Sequence, residues 1–242
     1  MHAAIVTGVS RGLGESMATA LLDRGYSVLG VGRHTSPRLK GGRYRFAAFD
    51  LADAVRTRDV LEDSFRLMAA AKPESVCLIN NAASAGPVGV LGKLEGGSSE
   101  ASLSVNLTAP ILLANLFCAV FSDEKLPRRI INVSSGAAQS PLPGEGLYCV
   151  AKAGLEMLTR ILAAEQKAPG FRAISVRPGI IDTEMQVFAR SQSPDVLPCV
   201  DMFREFHSQG QLVPPDVVAA KIVERLVLSD VEHGRTYSYR EL

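Results

Sequence analysis

The sequence predicts an α/β fold: a single domain built on a doubly wound parallel sheet of about seven strands, with helices on both faces. Two observations predict it. Short apolar runs alternate with stretches of helical periodicity along all 242 residues, and polar residues directly follow several of these runs. Strands separated by helices form parallel sheets, and ligand-binding side chains collect beyond the carboxyl ends of such strands. We therefore expect one domain, residues 1–242, with one cleft at that edge of the sheet.

In the first half of the chain, apolar runs of strand length lie between stretches of helical periodicity. The predicted strands cover residues 3–6, 27–31, 44–49 and 75–79. The predicted helices cover residues 15–24 and 53–71. This alternation is typical of repeated strand–helix–strand units.

Two long helices, residues 99–121 and 145–167, are predicted in the second half. Pro110 lies within the first, which predicts a kink because proline has no N–H to donate to the helix. Further strands are predicted at residues 129–133, 171–176 and 234–239, and a further helix at residues 214–228. Residues 182–212 form a long irregular segment, which in a compact domain predicts a lid or a binding loop.

The turn after the first strand reads Thr-Gly-Val-Ser-Arg-Gly-Leu-Gly over residues 7–14. Glycines let a backbone approach an anion closely, and free N–H groups at a helix start point toward it. The spacing alone is weak evidence, because an ordinary turn with Ser10 as a helix N-cap has the same composition. Its position directly after the first strand favours a nucleotide phosphate site. The candidate residues are Gly8, Ser10, Arg11, Gly12, Leu13 and Gly14.

Tyr148 and Lys152 lie four residues apart on the second long helix, so their side chains share one face. A nearby ammonium favours the phenolate, so we expect the pKa of Tyr148 to fall from about 10 toward working pH, which makes it a usable general acid or base. Ser135 follows the buried strand pattern, where its hydroxyl can hold the same carbonyl oxygen that Tyr148 protonates. Ser134, its neighbour, is interpreted as the end of the strand.

These residues together resemble the short-chain dehydrogenase/reductase family. The resemblance spans nearly the whole chain and runs in family order through residues 7–14, Asn80-Asn81-Ala82-Ala83, Asn106, Ser135, Tyr148, Lys152 and residues 177–183. Within the family, residues 134–138, Tyr148-Cys149 and residues 182–186 are similar to the sepiapterin reductase-like group and its bacterial benzil reductase branch. Ala83 departs from the pattern, since the family usually has glycine there and a methyl group crowds the backbone near the cofactor.

The resemblance implies a Rossmann-type oxidoreductase in which Ser135, Tyr148 and Lys152 are catalytic. By the same resemblance, Asn106 holds a water that links Lys152 to solvent, and Lys152 also bonds the nicotinamide ribose. Implied cofactor contacts are Asp50 and Leu51 at the adenine, Thr183 at the nicotinamide carboxamide, and Asn81, Ala82, Ala83, Tyr148, Pro178, Gly179 and Ile181.

The residues after the second strand bear on the choice of cofactor. A carboxylate there would bind the ribose 2′-hydroxyl of NAD, whereas a basic residue suits the 2′-phosphate of NADP. Residues 31–34 contain no acid but include Arg33, and Arg11 lies in the glycine-rich turn. Either arginine alone is equally well a solvated surface charge, but two near one predicted pocket favour NADP(H).

Residues 182–212 cover the substrate if the resemblance holds. Candidate substrate contacts are Ala137, Cys149, Met185, Phe188 and Phe203. The apolar residues predict a pocket for a small-molecule carbonyl substrate, an aromatic ketone or 1,2-diketone, reduced with Tyr148 as general acid. Two alternatives remain open. One is a β-ketoacyl thioester reductase, for which this segment has few cations; the other is a non-catalytic dinucleotide-sensing protein, which would not need the full Ser-Tyr-Lys set.

The composition excludes several classes of function. A net charge of +1 gives no electrostatic footprint for nucleic acid or an anionic membrane. No apolar run reaches the roughly 18 residues of a membrane span. The four cysteines are widely spaced and form no metal or redox motif, so no metal is expected. The residues ahead of the first strand leave no room for a signal peptide, which favours a cytoplasmic protein.

Both long helices carry apolar residues on more than one face. A helix that buries a second apolar face usually does so against a neighbouring subunit. The family resemblance implies pairing through these helices, so we expect a homodimer or a homotetramer.

Overall fold

The computed structural model describes residues 1–94 and 96–242, and it confirms the predicted α/β fold. The described residues form one seven-stranded parallel sheet in the order β3-β2-β1-β4-β5-β6-β7. The strands are β1 His2–Thr7, β2 Ser27–Gly32, β3 Tyr44–Ala48, β4 Ser75–Asn80, β5 Arg128–Val133, β6 Phe171–Arg177 and β7 Thr236–Ser238. The chain runs outward from β1 to one edge, then returns beside β1 and runs to the other. This reversal between β1 and β4 is a topological switch point, where ligands bind beyond the strand ends.

Helices cover both faces of the sheet. They are α1 Gly12–Asp23, α2 Thr57–Ala70, α3 Gly96–Leu103, α4 Ala109–Val120, α5 Gly146–Glu165, α6 Glu184–Arg190, α7 Val200–Ser208 and α8 Pro215–Ile222. Successive strand side chains point to opposite faces, so each strand feeds two cores. On one face α1 and α8 bury Met17, Leu21 and Ile222 against Val6. On the other, α2 and α4 bury Phe65 and Phe117 against Ile5.

The helix predicted at residues 99–121 changes its hydrogen-bonding pattern partway along. A π-helical turn, Ser104–Thr108, joins α3 to α4 with helical backbone on both sides, and Pro110, which has no N–H to donate, lies just after it. The segment predicted to be irregular, residues 182–212, contains α6 and α7, so that expectation was wrong. These helices have 7 and 9 residues, too few to show a clear periodicity in the sequence.

One helical stretch also bears on the membrane argument. Ser98–Val120 has 23 residues and a mean hydropathy of 1.8, long and apolar enough to cross a membrane by length and composition alone. It is not an uninterrupted apolar run, since it contains polar residues such as Glu100, Ser104 and Asn106, so the absence of an apolar run of about 18 residues is not contradicted. The core helices of soluble proteins meet the same criterion, and in this structure Leu113 and Phe117 of α4 pack in the sheet core.

Candidate active site

A cleft of about 1280 Å³ opens beyond the carboxyl ends of the central strands. It brings together most of the predicted site residues. Those that line it are Gly8, Ser10, Arg11, Gly12, Leu13, Gly14, Arg33, Asp50, Leu51, Asn81, Ala82, Ala83, Tyr148, Lys152, Pro178, Ile181, Thr183, Met185 and Phe188. The predicted residues outside the lining are Asn106, Ser135, Ala137, Cys149, Gly179 and Phe203.

The glycine-rich turn is built for close backbone approach. Gly8 and Gly12 have φ values of +73° and +61°, which favour glycine, and a Cβ on Gly14 would lie 2.2 Å from the carbonyl oxygen of Gly8. Helix α1 begins at Gly12 with Arg11 as its N-cap residue, and no side chain caps it. The alternative of an ordinary turn capped by Ser10 is therefore wrong. The first N–H groups of α1 have no side-chain partner, so they fit an anion such as a dinucleotide phosphate.

Thr7 holds the floor of this cleft together, a role that the sequence did not reveal. Its hydroxyl accepts hydrogen bonds from the backbone N–H groups of Asn81 and Ala82, each at 2.9 Å. The Asn81 side chain returns a bond to the Thr7 carbonyl at 2.9 Å. The ends of β1 and β4 are thus joined where the cofactor residues lie. The only signal in the sequence is a hydroxyl between an apolar strand and a glycine.

The two adjacent serines after β5 have different partners. The Ser134 hydroxyl donates to Glu156 Oε1 at 2.8 Å, and the residue is buried. Ser135 instead caps a short 3-10 turn, where its hydroxyl accepts the Ala137 N–H at 3.2 Å, and it also hydrogen-bonds Tyr148. This arrangement supports the choice of Ser135, although Ser134 and not Ser135 lines the cleft.

Tyr148 and Lys152 lie on one face of α5, as predicted. Lys152 Nζ is 5.3 Å from the centroid of the Tyr148 ring. The expected fall in the tyrosine pKa was wrong: burial raises the pKa of Tyr148 and the Glu145 carboxylate raises it further, whereas the Ser135 hydrogen bond opposes them. The sequence shows the neighbouring cation but not the protein atoms that surround the phenol, and the desolvation they cause disfavours the phenolate.

Lys152 is itself an unusual group, because only 1% of the residue is exposed. Its ammonium donates to the Val133 carbonyl oxygen at 2.8 Å. Burial lowers the pKa of Lys152 from 10.5 to about 8, since the charged form is poorly solvated there. This lysine therefore changes charge much closer to neutral pH than an exposed one.

Asn106 lies in the π-helical turn between α3 and α4 and is buried. Its side-chain oxygen accepts the Ser84 N–H at 2.9 Å, and its amide donates to the Ser84 carbonyl at 3.0 Å. Both ends of the amide are thus used to fix the loop after β4. That Asn106 also holds a water linking Lys152 to solvent stays a prediction.

The arginines predicted to select the cofactor, Arg11 and Arg33, are exposed and line the cleft. Within residues 1–94 and 96–242 neither forms an ion pair with a carboxylate. Asp50 lines the cleft as well, and its carboxylate accepts the Ala52 N–H at 3.0 Å. The cleft therefore offers two guanidinium groups without a carboxylate partner among the described residues, one in the turn after β1 and one directly after β2.

Among the predicted substrate residues, Met185 and Phe188 on α6 line the cleft. The other three do not. Phe203 packs against the small core of the segment that contains α6 and α7, with Leu197 and Val200. Ala137 is buried, and the Cys149 thiol contacts the Ser140 carbonyl oxygen at 3.8 Å. A role of these three residues in binding substrate stays a prediction.

Comparison with known proteins agrees with this geometry. The family model for short chain dehydrogenase matches residues 2–194. Over 243 residues the chain is 32% identical to benzil reductase ((S)-benzoin forming) of Bacillus subtilis (strain 168), with 100% of this chain and 99% of that protein covered. It is 33% identical to sepiapterin reductase of Meriones unguiculatus, over 95% of this chain and 93% of that protein.

Solved structures give the same result. The KRED1-Pglu enzyme superposes with a TM-score of 0.82 at 27% identity, covering 98% of this chain and 100% of that chain. A short chain dehydrogenases/reductase from Saccharomyces cerevisiae superposes with a TM-score of 0.81 at 26% identity, covering 99% of this chain and 96% of that chain. The ordered motifs, the cleft and these matches lead to one conclusion: the chain belongs to the short chain dehydrogenase family, whose members are NAD(P)-binding oxidoreductases.

Proposed function

We propose that this protein is an NADPH-dependent carbonyl reductase that acts on a ketone or 1,2-diketone, with Tyr148 as the general acid. The observation that carries the proposal is that Tyr148 and Lys152 line the same cleft as the glycine-rich turn. A dinucleotide whose phosphates lie at the start of α1 can therefore extend toward the tyrosine within one cavity.

The chain's own groups divide the chemistry between them. When bound, the reduced nicotinamide supplies the hydride. Tyr148 donates a proton to the carbonyl oxygen, and Ser135 holds that oxygen in place. The raised pKa of Tyr148 keeps it protonated at neutral pH, which is the state that reduction requires. Fixed donors beside a developing oxyanion stabilise it by a few kcal/mol, because they need no reorganisation during the step.

The preference for NADPH rests on Arg11 and Arg33. A guanidinium binds a phosphate through two parallel hydrogen bonds, and these two groups are free of carboxylate partners in the described structure. Replacing both arginines by alanine should raise the KM for NADPH by at least about tenfold. The reason is that each charge-assisted hydrogen bond lost is worth about 1.5–3 kcal/mol. The KM for NADH should stay nearly constant. An equal loss for both cofactors would contradict the assignment.

The substrate class rests on the apolar residues Met185 and Phe188 and on the relatives, which are named for benzil and sepiapterin. The decisive experiment is NADPH oxidation with a panel of benzil, other 1,2-diketones, sepiapterin and acetoacetyl thioesters. The proposal expects the aromatic diketones to be reduced fastest. Thioesters as the best substrates would favour a β-ketoacyl reductase, and cofactor binding without any turnover would favour a dinucleotide sensor.

We further propose that the active protein is a homo-oligomer that pairs through α4 and α5. Four large apolar side chains on these helices are strongly exposed: Ile111 at 41%, Val150 at 64%, Met157 at 48% and Ile161 at 46%. Three of them lie on α5, where spacings of seven and four residues put them on one face. A clustered apolar face of this kind usually contacts another subunit.

A further inference from the structure

Glu145 is a buried carboxyl group that the proposed mechanism does not yet use. The residue is 8% exposed and directly precedes α5, the helix that carries Tyr148. Its carbonyl accepts the Cys149 N–H at 2.9 Å, so the helical turn effectively begins at Glu145. Residues three apart share one side of a helix, which puts Glu145 beside Tyr148.

The carboxyl has no ordinary structural role. It does not cap α5, although a carboxylate at a helix start is well placed to do so. Among residues 1–94 and 96–242 it also forms no ion pair. A buried carboxyl without an ion-pair partner is costly to ionise, and such groups are concentrated at functional sites.

The segment between α6 and α7 encloses this corner. Gly144 has φ at +90° and packs closely against this segment. A Cβ added to Gly144 would lie 2.9 Å from the Leu197 side chain and 3.0 Å from the Pro198 side chain. The Gly144 carbonyl accepts the Gly89 N–H at 2.8 Å from the loop after β4. Glu145 is therefore held between the helix of Tyr148 and the segment that covers the substrate end of the cleft.

The titratable groups around Glu145 are few. Tyr148 on its own helix and Cys199 from the covering segment both interact with it electrostatically. Cys149 interacts with those two groups, and Lys152 lies one turn further along α5. Tyr148 and Cys199 are uncharged when protonated, and a nearby carboxylate disfavours the phenolate and the thiolate that they form on losing a proton. Burial raises the pKa of Glu145 from 4.5 to about 7, so its charge changes near neutral pH.

We propose that Glu145 is a positioning residue for the reduction, one whose charge state controls how readily Tyr148 gives up its proton. This inference rests on the proposed function. In the step, the Tyr148 O–H bond breaks, the proton goes to the substrate oxygen and the electron pair stays on the phenolate, which then takes a proton from water. A protonated Glu145 tolerates the developing phenolate, whereas an ionised Glu145 repels it. Reduction therefore slows as Glu145 ionises.

The test compares wild type with Glu145→Gln, which keeps the shape and remains neutral. The ratio of the variant's rate of NADPH-dependent reduction to the wild-type rate should rise roughly tenfold between about pH 6 and about pH 9. A difference of about one unit in the pKa of Tyr148 predicts this factor. Glu145→Asp should restore the wild-type profile. The matched control is Glu165→Gln at the exposed far end of α5, which should leave the profile unchanged. Superimposable profiles for wild type and Glu145→Gln would overturn the proposal.

A second readout does not depend on turnover. Alkylation of the Cys199 thiol reports the charge of Glu145, because an ionised carboxylate disfavours the neighbouring thiolate. Taken as the difference between each protein and its Cys199→Ser counterpart, alkylation between about pH 7 and about pH 9 should be faster in Glu145→Gln than in wild type. Equal rates would refute the charge assigned to Glu145. If no carbonyl is reduced by any variant but the alkylation rates differ, the proposed function fails while the charge of Glu145 at this corner stands.

Discussion

Glu156 and Arg177 form a two-pronged ion pair behind the proposed active site. Glu156 Oε1 accepts from Arg177 Nε at 2.8 Å, and Oε2 accepts from Nη2 at 2.7 Å. Ser134 also donates to Oε1, at 2.8 Å. The pair thus joins α5 to the ends of β5 and β6. It holds the loop of Ser135 against the Pro178 turn, which lines the cleft.

Removing the Glu156 carboxylate should destabilise the protein strongly. The side chains of Glu156 and Arg177 are only 13% and 20% exposed, so Glu156→Ala leaves a largely buried guanidinium unpaired, at a cost of about 3 kcal/mol in the free energy of unfolding. Urea denaturation measures this. The control is Glu62→Ala on α2, whose partners Arg58 and Arg66 are mostly exposed and whose loss should cost about 1 kcal/mol or less. Equal losses would show that the buried pair has no special role.

Tyr148→Phe should remove proton donation without disturbing the cofactor cleft. We expect reduction to slow by about a hundredfold or more, the usual contribution of a general acid. The dissociation constant for NADPH, measured by fluorescence, should change only a few-fold. Tyr26→Phe, at a buried tyrosine of the core, is the control and should keep turnover. Near-normal turnover in Tyr148→Phe would show that another group supplies the proton.

Burial of Lys152 should make stability depend on pH in alkaline solution. Its pKa is lowered from 10.5 to about 8, so between these values the unfolded chain binds more protons than the native protein. Stability due to this group therefore rises with pH across that window, by about 3 kcal/mol in total. Buried thiols with raised pKa values, such as that of Cys77, oppose this rise at alkaline pH. The contribution of Lys152 is therefore measured as the difference in the free energy of unfolding between wild type and Lys152→Met, which should grow as the pH rises from about 8 to 10.5. The exposed-site control Lys167→Met should differ from wild type by a constant amount. A constant difference for Lys152→Met as well would show that Lys152 does not contribute.

Gly14→Ala should abolish dinucleotide binding. The added Cβ would meet the Gly8 carbonyl oxygen at 2.2 Å and the Asn81 side-chain nitrogen at 2.4 Å, so the turn must move. Calorimetric titration with NADPH should show at least a tenfold loss of affinity, about 1.4 kcal/mol. Gly42→Ala is the matched control, since no atom lies within 4 Å of its Cβ. Unchanged affinity in Gly14→Ala would mean that the turn does not hold the phosphates.

A charged residue on the exposed face of α5 should separate the subunits. Met157→Glu, at a position 48% exposed, places a carboxylate in the proposed apolar contact. Sedimentation should then show a smaller particle with an unchanged circular dichroism spectrum. Leu67→Glu on α2 is the control, because Leu67 is 61% exposed but lies outside this face. A wild-type protein that sediments as a monomer would contradict the proposal directly.

The sequence predicted the sheet, the cleft and most of its lining, because strand periodicity and the positions after strand ends depend on local pattern. It could not predict the partner of Ser134, since Glu156 lies more than twenty residues away. It also gave the wrong direction for the pKa of Tyr148. A neighbouring cation is visible in a sequence, whereas the extent of desolvation depends on every element packed around the phenol. The roles of Thr7 and Asn106 were hidden for the same reason.

The position of β1 at the centre of the sheet has a consequence for how the chain folds. Ala3 pairs with Ser27 on one side but with Val76 on the other, so the middle strand lacks its second neighbour until β4 has been synthesised. Long-range parallel pairing is slow, and an open apolar edge can pair with other nascent chains in the meantime. Yield of folded protein should therefore improve when a chaperone shields that edge during synthesis.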